Sequence, residues 1–237
     1  MSELSVIGFD ADDTLWQNES FFRMTETRFA ELLADHAEGA HLKERLLEAE
    51  QKNVGHYGFG IKGFMLSMIE TAVEVTEGRV DGKVVGQILE MGQEMLRHPI
   101  ELLPHVEGTL GALADRYPLI LITKGDLLHQ EQKLAASGLG DMFAGVEIVS
   151  DKVPDVYTRA FADHGGARRA MMIGNSMKSD VVPALDAGAW AVYVPHGLTW
   201  ALEHAETPEG HPRYHELPDL GGLPAHVEAV EAAARVA

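Results

Sequence analysis

Two acidic residues and a threonine follow directly after the first apolar run of the chain. Residues 4–9 read LSVIGF, and residues 10–14 read DADDT. Side chains two positions apart on an extended backbone point to the same side, so we expect Asp10 and Asp12 to face one site. Two carboxylates held close together repel each other and need a shared proton or a cation. With Mg²⁺, one carboxylate can attack phosphorus and form an aspartyl-phosphate while its neighbour protonates the leaving oxygen.

A second group of candidate site residues follows the apolar run at 118–122, where the sequence continues Thr123-Lys124-Gly125. The Thr123 hydroxyl can donate a hydrogen bond to a phosphoryl oxygen, and Gly125 lets the backbone approach closely. Lys124 is a candidate for substrate binding because its ammonium follows Thr123 directly. A solvated surface lysine is an equally good interpretation of Lys124.

Charged and amide side chains also follow the runs at 146–149 and 170–173. Lys152 comes after the first of these runs, where an ammonium could screen the charge of a nucleophile and of a transferring phosphoryl group. Asn175 and Asp180 come after the second run. Both offer hard oxygen ligands of the kind that suits Mg²⁺. The sequence therefore predicts Mg²⁺ as the cofactor.

The spacing of apolar residues predicts how these segments are arranged. Short, continuously apolar runs are typical of strands buried on both faces, and segments of helical period lie between them. Strands that alternate with helices predict parallel βαβ units, and right-handed crossovers place helices on both faces. The predicted fold class is α/β, with a doubly wound, Rossmann-like parallel sheet. The predicted strands lie at 4–9, 119–122, 146–149, 170–173 and 191–194.

Residues 17–98 break this alternation, because they show helical periodicity and no convincing strand. Three or four amphipathic helices joined by short loops predict an inserted all-helical domain. We therefore predict a catalytic core of residues 1–16 and 99–237 around a helical insertion at 17–98. A glycine-rich stretch at 55–63 contains Lys62, a candidate substrate contact, although a flexible helix connector explains the glycines equally well.

Composition excludes several classes of protein. The chain has 237 residues, of which 46% are hydrophobic and 24% charged, as in ordinary globular proteins. Its formal net charge of −18 argues against nonspecific binding to nucleic acid or to an anionic membrane. It has no cysteine, which excludes disulfides and thiol catalysis. We find no signal peptide and no apolar run of about 18 residues, so we expect a cytoplasmic protein with no membrane partner.

The candidate residues, in this order at successive strand ends, resemble the four motifs of the haloacid dehalogenase-like hydrolase superfamily. The helical insertion is similar to the cap domain that many members carry after the first motif, so the resemblance covers the whole chain. Together the four motifs are far more specific than any one of them alone. They read Asp10-x-Asp12-x-Thr14, Thr123, Lys152 and Gly174-Asn175-Ser176-x-x-x-Asp180.

The resemblance implies a role for each motif residue. Asp10 is the nucleophile and a Mg²⁺ ligand, and Asp12 is the general acid/base that also binds Mg²⁺ through its backbone carbonyl. Thr123 binds the phosphoryl group, and Lys152 neutralises charge. Asp180 is an acidic Mg²⁺ ligand.

The chain departs from the family pattern at two positions. Asn175 stands where many members have aspartate, which removes one formal charge, so we expect a weaker metal site with Asn175 as a possible ligand. Lys152 is followed by Val153 and only then by Pro154, whereas the family pattern has proline directly after the lysine.

The resemblance also separates two kinds of chemistry. Dehalogenases of this superfamily lack a carboxylate at the second acidic position, because a halide leaving group needs no proton. Asp12 is present here, which favours a Mg²⁺-dependent phosphomonoester hydrolase acting on a small phosphorylated metabolite. A phosphosugar mutase with the same residues and a non-catalytic phospho-acceptor module are the alternatives. The sequence indicates neither the physiological substrate nor the oligomeric state.

Overall fold

The computed structural model describes residues 3–236, which form an α/β fold with strands and helices in alternation after a helical insertion. The strands are β1 Val6–Phe9, β2 Leu119–Lys124, β3 Gly145–Val149, β4 Ala170–Gly174, β5 Trp190–Tyr193 and β6 Tyr214–Glu216. The first helices are α1 Glu19–Leu32, α2 Gly39–Tyr57, α3 Ile61–Val75, α4 Gly82–Leu96 and α5 Val106–Ala114. The later helices are α6 Leu127–Ser137, α7 Pro154–Ala160, α8 Val182–Asp186 and α9 Leu223–Val236.

The described strands form one sheet in the order β3-β2-β1-β4-β5-β6, and every neighbouring pair is parallel. The chain moves outward from β1 through β2 to β3, and then crosses to β4 on the other side of β1. A doubly wound sheet has its binding crevice beyond the carboxyl ends of the strands at such a reversal of direction. The predicted fold class is confirmed.

Alternate residues of β1 pack into different apolar clusters. Ile7 and Phe9 belong to the cluster that includes residues of α5 and α9, whereas Val6 belongs to the cluster that includes residues of α7 and α8. Successive side chains of a strand point to opposite faces, so helices cover both faces of the sheet. This burial on both faces explains why β1 is apolar at nearly every position.

The described chain divides into two compact units. The first, called the core unit, contains residues up to Gln17, Ile100–Lys124 and the residues from Gln130 onward. The second, called the helical unit, contains Asn18–Pro99 and Gly125–His129. No pattern in the sequence indicated that the short segment Gly125–His129 groups with the helical insertion.

The helical unit has its own apolar core. Buried residues of α1, α2 and α3 pack together, among them Phe29, Leu42, Phe64 and Met68. The predicted amphipathic stripes therefore bury their apolar sides against one another. Within residues 3–236, no helix is both long enough and apolar enough to cross a bilayer.

Local structure differs from the sequence-based expectation in three places. The glycine-rich stretch is mostly helical, because α2 extends to Tyr57 and α3 begins at Ile61, which leaves Gly58–Gly60 as the connection. The chain after β4 first makes a π-helical turn at Met177–Val181, which no sequence pattern indicated. The short edge strand β6 was missed, because its sequence YHE is polar and carries no apolar run.

Candidate active site

Asp10 lies at the carboxyl end of β1, where its backbone N–H donates to the Ile173 carbonyl of β4 at 2.9 Å. The Lys152 ammonium lies between two carboxylates, 2.5 Å from Asp10 Oδ1 and 2.6 Å from Asp180 Oδ1. The side chains of these three residues are at most 9% exposed. The structure therefore brings together three predicted site residues that are 142 and 28 positions apart in the chain.

The charges in this buried group do not balance. Burial raises the pKa of Asp10 above its usual range, the Asp180 carboxylate raises it further, and Lys152 opposes both effects. Burial alone would lower the pKa of Lys152, but the two carboxylates hold it above its usual range. One ammonium faces two carboxylates, and the excess negative charge is what a bound cation would offset.

Close packing against Gly174 fixes the position of the Asp180 carboxylate. The Ser176 backbone N–H donates to Asp180 Oδ2 at 2.9 Å. A Cβ at position 174 would lie 2.2 Å from Asp180 Oδ2 and 2.5 Å from its Cβ, so only glycine leaves room for this carboxylate. The Tyr157 hydroxyl donates to the Ser179 carbonyl at 2.7 Å and steadies the same turn. Sequence reasoning did not identify Tyr157.

Asn175 lies against the first motif. One terminal atom of its amide is 3.1 Å from Asp10 Oδ2, 3.1 Å from Thr14 Oγ1 and 3.0 Å from the Asp12 carbonyl oxygen. If this atom is nitrogen, it donates to these oxygens. If it is oxygen, three oxygens face one another here, and a cation such as Mg²⁺ would be needed to hold them together.

The residues present fit a magnesium ion. The described side chains contain no cluster of three or more His, Cys, Asp or Glu that could hold a metal. A metal here would therefore depend on mixed oxygens: the Asp10 and Asp180 carboxylates, the Asp12 carbonyl and the Asn175 amide. Mg²⁺ accepts such a set, because it needs only one or two carboxylates and keeps several waters.

The Asp12 carboxylate has three side-chain donors in the core unit. Lys133 Nζ lies 2.6 and 2.8 Å from its two oxygens, Trp16 Nε1 donates at 2.6 Å and Gln130 Nε2 donates at 3.1 Å. Burial raises the pKa of Asp12, but Lys133 and the other donors outweigh this effect and hold the pKa below its usual value. The donors therefore stabilise the charged form of Asp12.

Thr123 is buried at the end of β2, where Gln130 Nε2 donates to its Oγ1 at 2.7 Å. Gln130 and Lys133 lie one turn apart on α6, and sequence reasoning did not single out either of them. The signal available was two polar residues spaced i, i+3 on the helix that follows Thr123. That spacing alone is common on solvated helix faces, so it could not have distinguished these residues.

The two lysines predicted to bind substrate lie in different settings. Lys124 Nζ forms an ion pair with Glu203 and donates to Ser179 Oγ at 2.8 Å. Sequence reasoning did not identify Glu203. Lys62 belongs to the helical unit, where its Nζ lies 2.8 Å from Asp126 Oδ2. A role of either lysine in substrate binding stays a prediction.

Comparison with known proteins shows which family the chain belongs to. The family model of haloacid dehalogenase-like hydrolases matches residues 4–188. A crystal structure of a haloacid dehalogenase-like family hydrolase from Xanthomonas campestris is 40% identical, covers 98% of this chain and 94% of that chain, and has a TM-score of 0.88. The chain therefore belongs to the haloacid dehalogenase-like hydrolases.

More distant structures share the fold. A 2-haloacid dehalogenase from Pseudomonas syringae is 23% identical over 95% of this chain and 98% of that chain, with a TM-score of 0.61. A protein from Haemophilus somnus described as a predicted phosphoglycolate phosphatase is 19% identical over 95% and 99%, with a TM-score of 0.64. No curated protein matches the chain. The chain is a hydrolase of this family, and the fold is common to relatives with different reactions.

Proposed function

We propose that the protein is a cytoplasmic, Mg²⁺-dependent phosphomonoester hydrolase that acts on a small phosphorylated metabolite. The observation that carries this proposal is the link between Asp12 and Thr123. The amide of Gln130 reaches Asp12 Oδ2 at 3.1 Å and Thr123 Oγ1 at 2.7 Å. This contact supports a single site in which Asp12 transfers protons and Thr123 binds the phosphoryl group.

The position of Asp12 favours an ester over a halide as substrate. An alkoxide leaves poorly unless it receives a proton, and general acid catalysis contributes about 10²–10⁴ in rate. A halide leaves without a proton, so a dehalogenase has no use for a carboxylate at this position. Asp12 also raises the pKa of Asp10, which supports a place for both carboxylates in one electrostatic environment.

Asp10, Asp180, the Asp12 carbonyl and Asn175 would hold the magnesium ion. Bound there, Mg²⁺ supplies positive charge that screens the nucleophile from the anionic phosphate and stabilises the transferring phosphoryl group. This local charge matters because the chain carries a net charge of −18, which repels anionic substrates at long range.

In the first half of the reaction, a carboxylate oxygen of Asp10 attacks phosphorus, and the bond between phosphorus and the ester oxygen breaks. Asp12 must carry a proton for this step, although Lys133 and the other donors favour its charged form. It gives that proton to the leaving oxygen, and an alcohol departs. Lys152 and the Thr123 hydroxyl stabilise the phosphoryl oxygens. The product on the enzyme is an aspartyl-phosphate at Asp10.

In the second half, the Asp12 carboxylate takes a proton from water. The water oxygen attacks phosphorus, and the bond between phosphorus and Asp10 breaks. Phosphate leaves, Asp10 returns to a carboxylate and Asp12 has regained its proton. The donors from Lys133, Trp16 and Gln130 stabilise the charged form in which Asp12 activates water.

We also propose that the helical unit acts as a cap that restricts water and selects the substrate, with Lys62 as a candidate contact. Active-site closure of this kind excludes water and strengthens electrostatic interactions. The unit has its own apolar core, which supports its movement as one body.

The experiment that tests the proposed function is a turnover screen over phosphorylated metabolites, with inorganic phosphate as the measured product. We expect phosphate release with Mg²⁺ and its loss with EDTA. Asp10→Asn should lower the rate of phosphate release by at least ~10³-fold, because it removes the nucleophile. Asp141→Asn, an exposed aspartate of the core unit, is the matched control and should keep full activity.

Assays for other products, run beside this screen, distinguish the alternative reactions. Release of halide from a 2-haloacid without phosphatase activity would indicate a dehalogenase. Isomerised sugar phosphate without net phosphate release would indicate a mutase. A stable phosphorylated protein without turnover would indicate a phospho-acceptor module.

A further inference from the structure

Helix α6 places a buried amide at the active site. Gln130 is 3% exposed, and its Nε2 lies within hydrogen-bond distance of Asp12 Oδ2, Thr123 Oγ1 and the Lys124 carbonyl. Its other amide atom, Oε1, is buried without a hydrogen-bond partner among the described residues. A buried acceptor without a partner costs about 1–3 kcal/mol, so packing alone does not favour glutamine over an apolar residue here.

The orientation of this amide is fixed by its neighbours. Asp12 Oδ2 and the Lys124 carbonyl oxygen, each 3.1 Å away, are acceptors. Exchanging the amide nitrogen and oxygen of Gln130 would therefore place oxygen against oxygen. The atom that faces Thr123 Oγ1 at 2.7 Å must be the nitrogen.

This orientation decides what the Thr123 hydroxyl can do. An amide nitrogen donates and does not accept, so Thr123 Oγ1 is the acceptor in its contact with Gln130. The hydroxyl proton of Thr123 is then left to donate elsewhere. Thr123 is 2% exposed, and no acceptor for this proton appears among its contacts in the described part of the chain.

We propose that Gln130 is a positioning residue that turns the Thr123 hydroxyl proton toward the phosphoryl group and joins Thr123 to the acid/base Asp12. A buried donor beside a phosphate site finds its natural acceptor in a phosphoryl oxygen. The inference rests on the proposed phosphatase function and adds to it a residue outside the four motifs.

A double-mutant cycle on phosphate binding tests this role directly. The probe is inorganic phosphate, titrated calorimetrically into the full-length protein in the presence of Mg²⁺. Gln130→Met should weaken phosphate binding by about tenfold, which is the scale of one hydrogen bond to a charged group. In a Thr123→Val background, Gln130→Met should weaken binding by less than about twofold, because the hydroxyl that it orients is gone.

Two further variants separate positioning from packing. Gln130→Glu keeps the size of the side chain but replaces the donor with an acceptor, so we expect it to weaken phosphate binding at least as much as Gln130→Met. Gln132→Met changes an exposed glutamine on the same helix and should leave phosphate binding unchanged. The free energy of unfolding of Gln130→Met should be within about 1 kcal/mol of the wild-type value. The substitution removes the unpaired Oε1 acceptor together with the Nε2 donor, so the two effects offset each other.

The outcomes are distinguishable. Additive losses for Gln130→Met and Thr123→Val would show that Gln130 acts through general packing, and equal affinity in all variants would show that it has no role; either result overturns the inference. Phosphate binding that follows the predicted cycle in a protein that hydrolyses no ester would support the inference and overturn the proposed function. Absence of phosphate binding in the wild type would overturn both.

Discussion

Gly174 and Asp180 are in contact across the last motif, where a Cβ at Gly174 would lie 2.2 Å from Asp180 Oδ2. The buried Asp180 carboxylate occupies the space that any larger residue at position 174 would need. Because Asp180 also holds Lys152 at 2.6 Å, its position sets the geometry of the charged group around Asp10.

Gly174→Ala should therefore damage the site through Asp180. We expect phosphate release to fall by about 10²-fold, because a shift of about 1 Å in a catalytic group costs this much. Gly111→Ala is the matched control, since a Cβ there meets nothing within 4 Å and the residue lies inside α5. It should keep full activity and gain about 0.5–1 kcal/mol of stability. Full activity in Gly174→Ala would contradict the account of this contact.

Magnesium should stabilise the folded protein. Binding to the native state adds about 2.7 kcal/mol to the free energy of unfolding at a Mg²⁺ concentration 100 times Kd. Denaturant titrations with Mg²⁺ and with EDTA measure this difference. Asp180→Asn should abolish the difference, and Asp141→Asn should preserve it. An equal effect of Mg²⁺ on the wild type and Asp180→Asn would place the ion elsewhere.

Glu203 should stabilise the loop that carries Asp180. It pairs with Lys124 and accepts from Ser179 Oγ at 2.5 Å. Glu203→Gln should lower the free energy of unfolding by about 2 kcal/mol. This is less than the ~3–5 kcal/mol lost when a fully buried ion pair is broken, because the side chains of Glu203 and Lys124 are both slightly exposed. Glu206→Gln, at an exposed glutamate of the same segment, should cost less than about 0.5 kcal/mol.

The contribution of Glu203 should depend on pH. Burial raises the pKa of Glu203, but Lys124 and the two serine hydroxyls outweigh burial and hold the pKa below its usual value. A carboxylate with a lowered folded-state pKa stabilises the fold above its unfolded-state pKa and loses this effect as pH falls through the folded-state value. The difference in unfolding free energy between wild type and Glu203→Gln should shrink on acidification. A constant difference would contradict the ionic contribution.

His226 should make the core unit sensitive to mild acid. Burial lowers the pKa of His226 to about 4, helped by His215, whose ring stacks on it at 4.0 Å. Between pH ~6.5 and ~4 the unfolded chain binds a proton at this site and the folded chain does not, so stability falls as pH falls.

The comparison with His226→Phe isolates this effect, because the variant keeps a stacking ring and cannot titrate. Between about pH 7.5 and about pH 5, the wild type should lose more unfolding free energy than His226→Phe. His41→Asn, an exposed histidine of α2, should lose as much as the wild type. Equal pH dependence in wild type and His226→Phe would contradict the assignment.

The strands that carry the motif residues could be predicted from the sequence, whereas most of the side-chain contacts around the site could not. Each motif residue follows an apolar run, and strands buried on both faces are the clearest pattern that periodicity offers. The edge strand β6 escaped notice because an edge strand with an exposed face needs no apolar run. The glycine-rich stretch was expected to be a helix connector, because glycine has a low helix propensity, but Gly55–Tyr57 continue α2. These three residues are exposed, so backbone hydrogen bonds rather than packing hold the end of the helix, among them the bond from the Gly58 N–H to the Val54 carbonyl.

Supporting residues of the site were missed for a different reason. Gln130 and Lys133 contact Asp12 across 118 and 121 positions, and Glu203 contacts Lys124 across 79. Local pattern identifies residue types at strand ends, whereas contacts of this range depend on how the helices dock on the sheet. The roles of Gln130, Lys133 and Glu203 could therefore be inferred only from the folded chain.

Chemical trapping of the intermediate is the most direct test of the central role given to Asp10. Borohydride added during turnover reduces an acyl phosphate to an alcohol, which would convert Asp10 to homoserine. We predict homoserine at position 10, found by peptide mass spectrometry, only when enzyme, Mg²⁺ and a hydrolysed phosphate ester are all present. Steady phosphate release with position 10 unmodified and another residue reduced would contradict the proposed nucleophile.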